Sequence, residues 1–108
     1  MTFEEYQQEA VKTAIYKKED NIVYPAIGLA NEVGEVMGKI KKVLRDSDGE
    51  FNTETNYAIA MECGDALWYM AALLRDLGVN FDTVAQNNIQ KLRSRQERGV
   101  LQGSGDER

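Results

Sequence analysis

The chain has 108 residues, of which 43% are hydrophobic and 29% charged, so its size and composition are those of one globular domain. With 13 Lys and Arg against 18 Asp and Glu, the net charge of −5 disfavours a duplex nucleic-acid partner, which requires a basic face. There is no histidine, which excludes Ser-His-Asp and Cys-His catalysis and histidine-ligated zinc. Any metal site must therefore be built mainly from carboxylates, which favour hard ions such as Mg²⁺ or Mn²⁺.

The single cysteine cannot form an internal disulfide, and no apolar run has the length of a membrane span. The first residues, Met1–Glu5, are polar and acidic, unlike a secretory signal peptide. We therefore expect a cytoplasmic protein without a membrane partner.

Apolar residues recur every three or four positions, which predicts an all-α fold. The first helix is predicted from Phe3 to about Tyr16, because Thr2 and Glu5 form a capping box, and the polar segment 17–21 is the predicted connection. The second helix is predicted to begin near Pro25 and to end at about Arg45. Its predicted core stripe consists of Ala26, Ala30, Val33, Met37, Ile40 and Leu44.

The third helix is predicted to follow Asn52 and Thr53 and to stop before Gly78. Its predicted core stripe consists of Ala60, Cys63, Leu67, Met70, Leu74 and Leu77. For the fourth helix, Asn80 and Asp82 are alternative caps. Its predicted apolar face consists of Phe81, Val84, Ala85, Asn88 and Leu92.

Residues 1–98 are thus predicted to form a single four-helix bundle, and residues 99–108 a Gly-rich tail that is either disordered or ordered on substrate binding. The first and last helices are short, so one protomer leaves apolar surface uncovered. We expect an intertwined homo-oligomer, a homodimer or a homotetramer.

Two acidic pairs stand out because each has its carboxylates three residues apart, on one face of a predicted helix. They are Glu32 with Glu35 on the second helix and Glu62 with Asp65 on the third. Either these are solvated surface acids, or the two helices are antiparallel neighbours and the four carboxylates converge. In the second case a divalent cation relieves their mutual repulsion.

These pairs lie within two segments that resemble one family, Gly28–Glu35 (GLANEVGE) and Glu62–Tyr69 (ECGDALWY). Together with Asn88-x-x-Lys91-Leu92 and the tail Arg98–Arg108, they are similar to the MazG-like nucleotide pyrophosphohydrolases, relatives of the all-helical dUTPases. The resemblance covers most of the chain. It implies hydrolysis of nucleoside triphosphates, often deoxynucleotides, to the monophosphate and pyrophosphate, in a housecleaning or pool-controlling role.

By the same resemblance, Glu32, Glu35, Glu62 and Asp65 would hold Mg²⁺, with Mn²⁺ as the alternative. A carboxylate that is not fully used as a ligand can orient the attacking water or accept its proton. Either Glu32 or Glu35 is expected to take this catalytic role.

Several residues are candidates for substrate binding, each with a structural alternative. Lys39 and Lys42 either contact phosphates or pair with glutamates along a wet helix face. Tyr69 either packs against a sugar or base or belongs to the core, and Tyr6, Tyr16, Tyr24 and Phe51 are not distinguished by spacing. The remaining candidates are Asn88, Lys91 and Arg95 on the basic fourth helix, and Ser104 and Arg108 in the tail.

Two alternatives to a nucleoside triphosphate pyrophosphohydrolase stay open. One is a non-catalytic helical module that assembles with itself or with partners. The other is a related phosphohydrolase that acts on phosphoribosyl-ATP or on a modified nucleotide.

Overall fold

The computed structural model describes residues 1–108 and contains only helices and their connections. The four α-helices are α1 (Phe3–Ala10), α2 (Val23–Asp46), α3 (Thr53–Asp76) and α4 (Phe81–Glu97), with 3₁₀ turns at Val11–Thr13 and Lys18–Asp20. This confirms the predicted all-α, four-helix fold. None of the helices combines the length and apolar character needed to cross a membrane.

The first helix begins as predicted and ends earlier. The capping box of Thr2 and Glu5 is present in both directions. The predicted end near Tyr16 is wrong, because the α-helix stops at Ala10 and passes into the 3₁₀ turn. The Ala10 carbonyl instead accepts hydrogen bonds from Thr13 Oγ1, at 2.7 Å, and from Trp68 Nε1, at 3.0 Å.

The link between α3 and α4 is fixed by backbone hydrogen bonds at the end of α3. The Gly78 N–H donates to the Arg75 carbonyl and the Val79 N–H to the Leu74 carbonyl, while Gly78 has a φ of +75°. This pattern is the Schellman motif, which favours glycine at that position. Asn80, rather than Asp82, caps α4 by accepting a hydrogen bond from the Asp82 N–H.

Helices α2 and α3 form an antiparallel hairpin that is the largest packed unit of the chain. Ile22 contacts Asp76 at one end, and Lys39 contacts Glu62 further along, so residue numbers rise on one helix as they fall on the other. We call the line of contact between these helices the α2–α3 seam. It brings the two predicted acidic segments side by side.

The face of α2 that enters this seam is not the predicted apolar stripe. Pro25 and Val43 are buried on α2, whereas Val33, Met37 and Leu44 are 49%, 58% and 61% exposed. The predicted stripe of α3 is confirmed in part, since Leu67 and Leu74 pack against the core, whereas Ala60, Cys63, Met70 and Leu77 are exposed. Helical periodicity identified an apolar face on each helix, but within the protomer only part of each face is buried.

A small core lies where α1 crosses the C-terminal half of α3 and the start of α4. Ala10, Ala71 and Phe81 are buried there, and the Phe3 ring stacks on Phe81 with centroids 4.6 Å apart. The buried Gln7 side chain donates to the Ala71 and Val79 carbonyls and accepts from the Phe81 N–H. Its amide therefore joins α1, α3 and the start of α4.

The four helices are more loosely assembled than in a closed bundle. The radius of gyration is 16.9 Å, whereas a compact chain of this length has a value of about 13 Å. Only eight of the 108 residues are buried. On α4 the predicted apolar face is buried at Phe81 alone, and Asn88, expected within that stripe, is exposed.

The carboxylate of Asp76, at the end of α3, ties down the segment that enters α2. It accepts hydrogen bonds from the Ile22 N–H, the Tyr16 hydroxyl and Arg75, at 2.8 to 2.9 Å. Ile22 has a φ of +72° and forms a γ-turn in which the Val23 N–H donates to the Asn21 carbonyl. A β-branched residue rarely adopts this conformation, so Asp76 holds a strained turn in place.

These bonds also set the protonation of Asp76. Burial acts to raise the pKa of Asp76, but the hydrogen bonds from Ile22, Tyr16 and Arg75 together hold it below its ordinary value. Because folding lowers this pKa, the stabilisation is complete above the ordinary Asp value of about 3.9 and is lost as the pH falls below it.

We predict that Asp76→Asn lowers the free energy of unfolding at pH 7 by about 2 kcal/mol, since hydrogen bonds to a buried charge are lost. Urea denaturation of the two proteins from pH 7 to pH 2 measures this. The difference between them should shrink as the pH falls.

The same Arg-Asp sequence ends α2, which provides a matched control. Asp46 is bound only by its exposed neighbour Arg45, and exposed ion pairs contribute little, so Asp46→Asn should change stability far less than Asp76→Asn. Equal effects of the two substitutions would contradict the role given to Asp76.

Candidate active site

Three carboxylates converge across the α2–α3 seam. Glu32 on α2 meets Glu62 and Asp65 on α3, with one oxygen from each lying within 4.8 Å of the others. Glu32 and Glu62 are partly buried and Asp65 is exposed, so the group opens to solvent on one side. We call these three residues the acidic cluster.

The cluster concentrates negative charge with little compensation. Burial raises the pKa of Glu32, and the charges of Asp65, Glu62 and Glu35 raise it further. Its one ion-pair partner is Lys39, whose Nζ lies 3.5 Å from Glu62 Oε1. One lysine does not neutralise three carboxylates, and like charges held together oppose folding. The cluster is therefore not explained as a structural ion-pair network.

The donor atoms of the cluster fit a hard divalent cation. All three ligands are carboxylate oxygens, the donors that Mg²⁺ and Mn²⁺ prefer. Glu35, the fourth predicted acid, lies outside the cluster and is exposed, although its charge still acts on Glu32. The structure thus brings together three of the four predicted acids and leaves Glu35 beside them.

An aromatic pocket opens next to the acidic cluster. It has a volume of about 380 Å³ and is lined by the rings of Tyr16, Tyr24, Trp68 and Tyr69. Thr13, Ile15, Lys17 and Asp20, from the segment between α1 and α2, complete the wall. Pockets for small molecules are commonly this size, with apolar walls and a few polar groups.

The rings form a continuous chain of contacts. Tyr16 stacks on Tyr24 with ring centroids 4.9 Å apart, and the Tyr24 centroid lies 6.3 Å from that of Tyr69. Tyr69 and Trp68 pack edge-to-face with centroids 5.0 Å apart. The Trp68 indole donates to the Ala10 carbonyl and to Thr13 Oγ1, which fixes its orientation. Trp68 is therefore both a packing residue and part of the pocket wall.

Tyr69 connects the pocket with the acidic cluster. Burial raises its pKa, and the neighbouring Tyr24 hydroxyl and the charges of Glu32 and Asp65 raise it further. Spacing alone did not separate the other aromatic candidates. The structure places Tyr16 and Tyr24 with Tyr69, whereas Tyr6 lines a different cavity with Phe3 and Leu67, and Phe51 is exposed.

The two predicted lysines differ in their distance from the acids. Lys39 contacts the cluster through Glu62. Together with Lys42 it also lines a second cavity, of about 220 Å³, toward the far end of the hairpin. Lys39 is thus the nearer candidate for a phosphate contact.

The predicted contacts on α4 lie elsewhere on the protomer. Asn88 and Lys91 line a surface depression with Val84 and Asn87. Arg95 is buried and donates to the Asp106 carbonyl. None of these residues belongs to the acidic cluster or to the wall of the aromatic pocket.

The tail folds back onto the end of α4. The Arg108 guanidinium donates to the carbonyls of Val100, Leu101 and Gly105, and Arg98 donates to the Arg108 carbonyl. Ser104 is exposed in this curl. To bind a phosphate, the Arg108 guanidinium would have to give up its hydrogen bonds to these carbonyls. That substrate orders the tail stays a prediction.

The comparisons with known proteins identify the family of the chain. The MazG nucleotide pyrophosphohydrolase domain matches residues 26–100, which include the acidic cluster and Tyr69. The chain is 44% identical over 109 aligned positions to the Gene 37 protein of Mycobacterium phage L5, covering 95% of this chain and 96% of that protein. No solved structure shows significant similarity to it. By the match over most of its length, the chain belongs to the MazG nucleotide pyrophosphohydrolase family.

Proposed function

We propose that this protein is a Mg²⁺-dependent enzyme that hydrolyses nucleoside or deoxynucleoside triphosphates to the monophosphate and pyrophosphate. Its role would be housecleaning or control of the nucleotide pool. The observation that carries the proposal is the acidic cluster beside an aromatic pocket, joined through Tyr69. A charged end and an aromatic end fit a molecule that has a phosphate chain at one end and a base at the other.

In this proposal Glu32, Glu62 and Asp65 hold Mg²⁺, and Glu35 completes the site. When bound, the ion neutralises phosphate charge and makes a water molecule a better nucleophile. Glu35 is exposed beside the cluster, where it can accept the proton of the attacking water, with Glu32 as the alternative. The water oxygen forms a bond to the α-phosphorus, and the bond between that phosphorus and the bridging oxygen breaks to release pyrophosphate.

The aromatic pocket supplies the base and sugar contacts. Tyr16, Tyr24 and Tyr69 offer ring faces on which a base can stack, and Tyr69 lies where the sugar would join the phosphates. In the metal-free protein Lys39 pairs with Glu62. When Glu62 instead binds the cation, Lys39 is free to contact a phosphate.

We further propose that the protein works as a homo-oligomer, a dimer or a tetramer. The outward face of α2 carries Ile27, Val33, Met37 and Leu44, all 49% exposed or more, and α3 exposes Tyr57 and Met61. Monomeric soluble proteins rarely expose an apolar face of this kind, and only eight residues of this chain are buried. Both observations indicate that another molecule covers the face. A second copy is the occupant that we favour, because it brings the same apolar face and also needs it covered.

The same assembly accounts for the distant substrate-binding candidates. Asn88, Lys91 and Arg95 lie on α4, which packs against α1 and the end of α3 and exposes Ile89 and Leu92. In the oligomer these residues, with Ser104 and Arg108 of the tail, would reach the acidic cluster of a second copy. Cytoplasmic location is proposed on the grounds of the substrate class.

The assembly predicts a sedimentation result. At micromolar concentration the wild-type chain should sediment as a dimer or larger, and Met37→Glu should reduce its association because a charge then replaces an apolar contact. Lys18→Glu, which places the same side chain in the exposed 3₁₀ turn, should sediment as wild type. A monomeric wild-type protein would remove the basis for this proposal.

Turnover is tested by pyrophosphate release from the eight common ribo- and deoxyribonucleoside triphosphates, with and without Mg²⁺. We expect metal-dependent release for at least one of them. Glu35→Gln and Asp65→Asn should each lower kcat/KM by about 100-fold or more while leaving the fold intact by circular dichroism.

The control for turnover is Glu54→Gln, which removes an exposed acid from the first turn of the same helix as Asp65. It should keep the wild-type rate. If no nucleotide were hydrolysed but Mg²⁺ still stabilised the protein, modified nucleotides and phosphoribosyl-ATP would be the substrates to try. If the protein showed no turnover and bound no metal, the result would favour the helical interaction module.

Metal binding should also appear in thermal unfolding. At 100 times its Kd, Mg²⁺ should stabilise the folded state by about 2.7 kcal/mol. Asp65→Asn should abolish this effect and at the same time raise the Tm of the metal-free protein, because it relieves the repulsion on Glu32.

The pH dependence of this effect has a defined sign. Because the pKa of Glu32 is raised in the folded state, the metal-free protein loses stability as the pH rises from the ordinary Glu value of about 4.3 through the raised one. Mg²⁺ competes with that proton, so its effect on Tm should weaken as the pH falls through the raised value. A Mg²⁺ effect that is constant from pH 8 to pH 4 would contradict the assignment of Glu32 as a ligand.

A further inference from the structure

Gly28 and Tyr69 face each other across the α2–α3 seam, one helical turn from the acidic cluster. Gly28 lies four residues before Glu32 on α2, and Tyr69 lies four residues after Asp65 on α3. Because residues four apart share a helix face, Gly28 and Tyr69 form the layer of the seam next to that of the acids. Beyond this layer the pocket is bounded by Tyr24 and Tyr16.

The Tyr69 ring occupies the space that a side chain at residue 28 would need. A Cβ built on Gly28 would lie 2.5 Å from Tyr69 Cζ and closer still to Cδ1 and Cε1. Real Cβ atoms do not tolerate such contacts, so the ring must move if residue 28 is anything other than glycine.

No other feature of the backbone explains a glycine at this position. Gly28 lies inside α2 and is absent from the residues with positive φ, so its conformation is open to any residue. A glycine inside a helix costs about 1 kcal/mol relative to alanine. At Gly34, Gly38 and Gly64, also inside helices, an added Cβ would meet nothing within 4 Å. Among the helical glycines, Gly28 alone is required by a contact within the protomer.

We propose that Gly28 is a positioning residue for nucleotide binding: its missing side chain seats the Tyr69 ring against α2, between the acidic cluster and the aromatic pocket. This inference rests on the proposed function. The seat fixes the distance between the acidic cluster, where the cation and the phosphate chain would lie, and the aromatic rings on which the base would stack. A larger residue at position 28 displaces the ring and spoils this spacing without removing any carboxylate.

The seat can be observed without measuring activity. Trp68 is the only tryptophan of the chain, and its ring meets Tyr69 edge-on at 5.0 Å. Gly28→Ala should therefore change the Trp68 fluorescence and the near-ultraviolet circular dichroism of the folded protein. Gly38→Ala makes the same substitution in open space on the same helix and should change neither.

Kinetics then test what the seat does. Gly28→Ala should raise KM for the nucleotide by about tenfold or more, since small displacements of positioning groups have effects of this size or larger. The Mg²⁺-induced rise in Tm should be retained, because the carboxylates are untouched. In a Tyr69→Ala background, where the ring is gone and residue 28 has room, Gly28→Ala should have no further effect on KM.

The outcomes separate this inference from the proposed function. If Gly28→Ala behaves as Gly38→Ala in fluorescence and in KM, the inference is wrong. It is also wrong if Gly28→Ala still raises KM in the Tyr69→Ala background, because the glycine then acts through something else. If the wild type hydrolyses no nucleotide, the proposed function and the role in nucleotide binding fail together, whereas the fluorescence comparison still decides whether the seat exists.

Discussion

The antiparallel seam between α2 and α3 is the constraint on which the rest of the structure depends. Two 24-residue helices place Glu32 against Glu62 and Asp65 along this seam, where apolar side chains would ordinarily be expected. Burial and the neighbouring charges raise the pKa of Glu32, and the repulsion between the charges opposes close packing. Packing elsewhere along the seam is supported at its ends by the short link after Asp46 and by the hydrogen bonds that Asp76 makes with the segment entering α2.

Placing acids inside the seam has a consequence for the outside of the hairpin. Glu32 occupies part of the inward face of α2 beside buried residues such as Val43, while several apolar residues of that helix, such as Val33 and Met37, lie on the outward face. On our proposal, catalysis and assembly are thus linked through one helix. On the same proposal the chain gives up part of its own core to hold a cation, and it recovers the lost burial by associating with a second copy.

The aromatic pocket depends on the irregular segment between α1 and α2. The early end of α1 at Ala10 frees residues 14–21 to run beside Trp68 and Tyr24, and the strained turn at Ile22 directs the chain into α2. Asp76 holds that turn from α3, and Gly28 leaves room for Tyr69 in the next part of the seam. Local strain and one unfavourable glycine are therefore concentrated around the site, as is common where geometry serves function.

The sequence by itself determined the helical class, most helix boundaries and the acidic pairs, because these depend on local caps and on the helical period. Thr2, Asn52 and Gly78 act as predicted, and the doubled acidic motif identified the family. Only the tertiary structure decided which face of α2 enters the seam, since an apolar stripe shows that a helix has a partner and not which partner it is. It also decided that Glu35 and α4 stand apart from the acidic cluster, and that Tyr16 and Tyr24 join Tyr69. These relations depend on the rotation of each helix about its axis and on the end of α1 at Ala10, which long-range contacts fix.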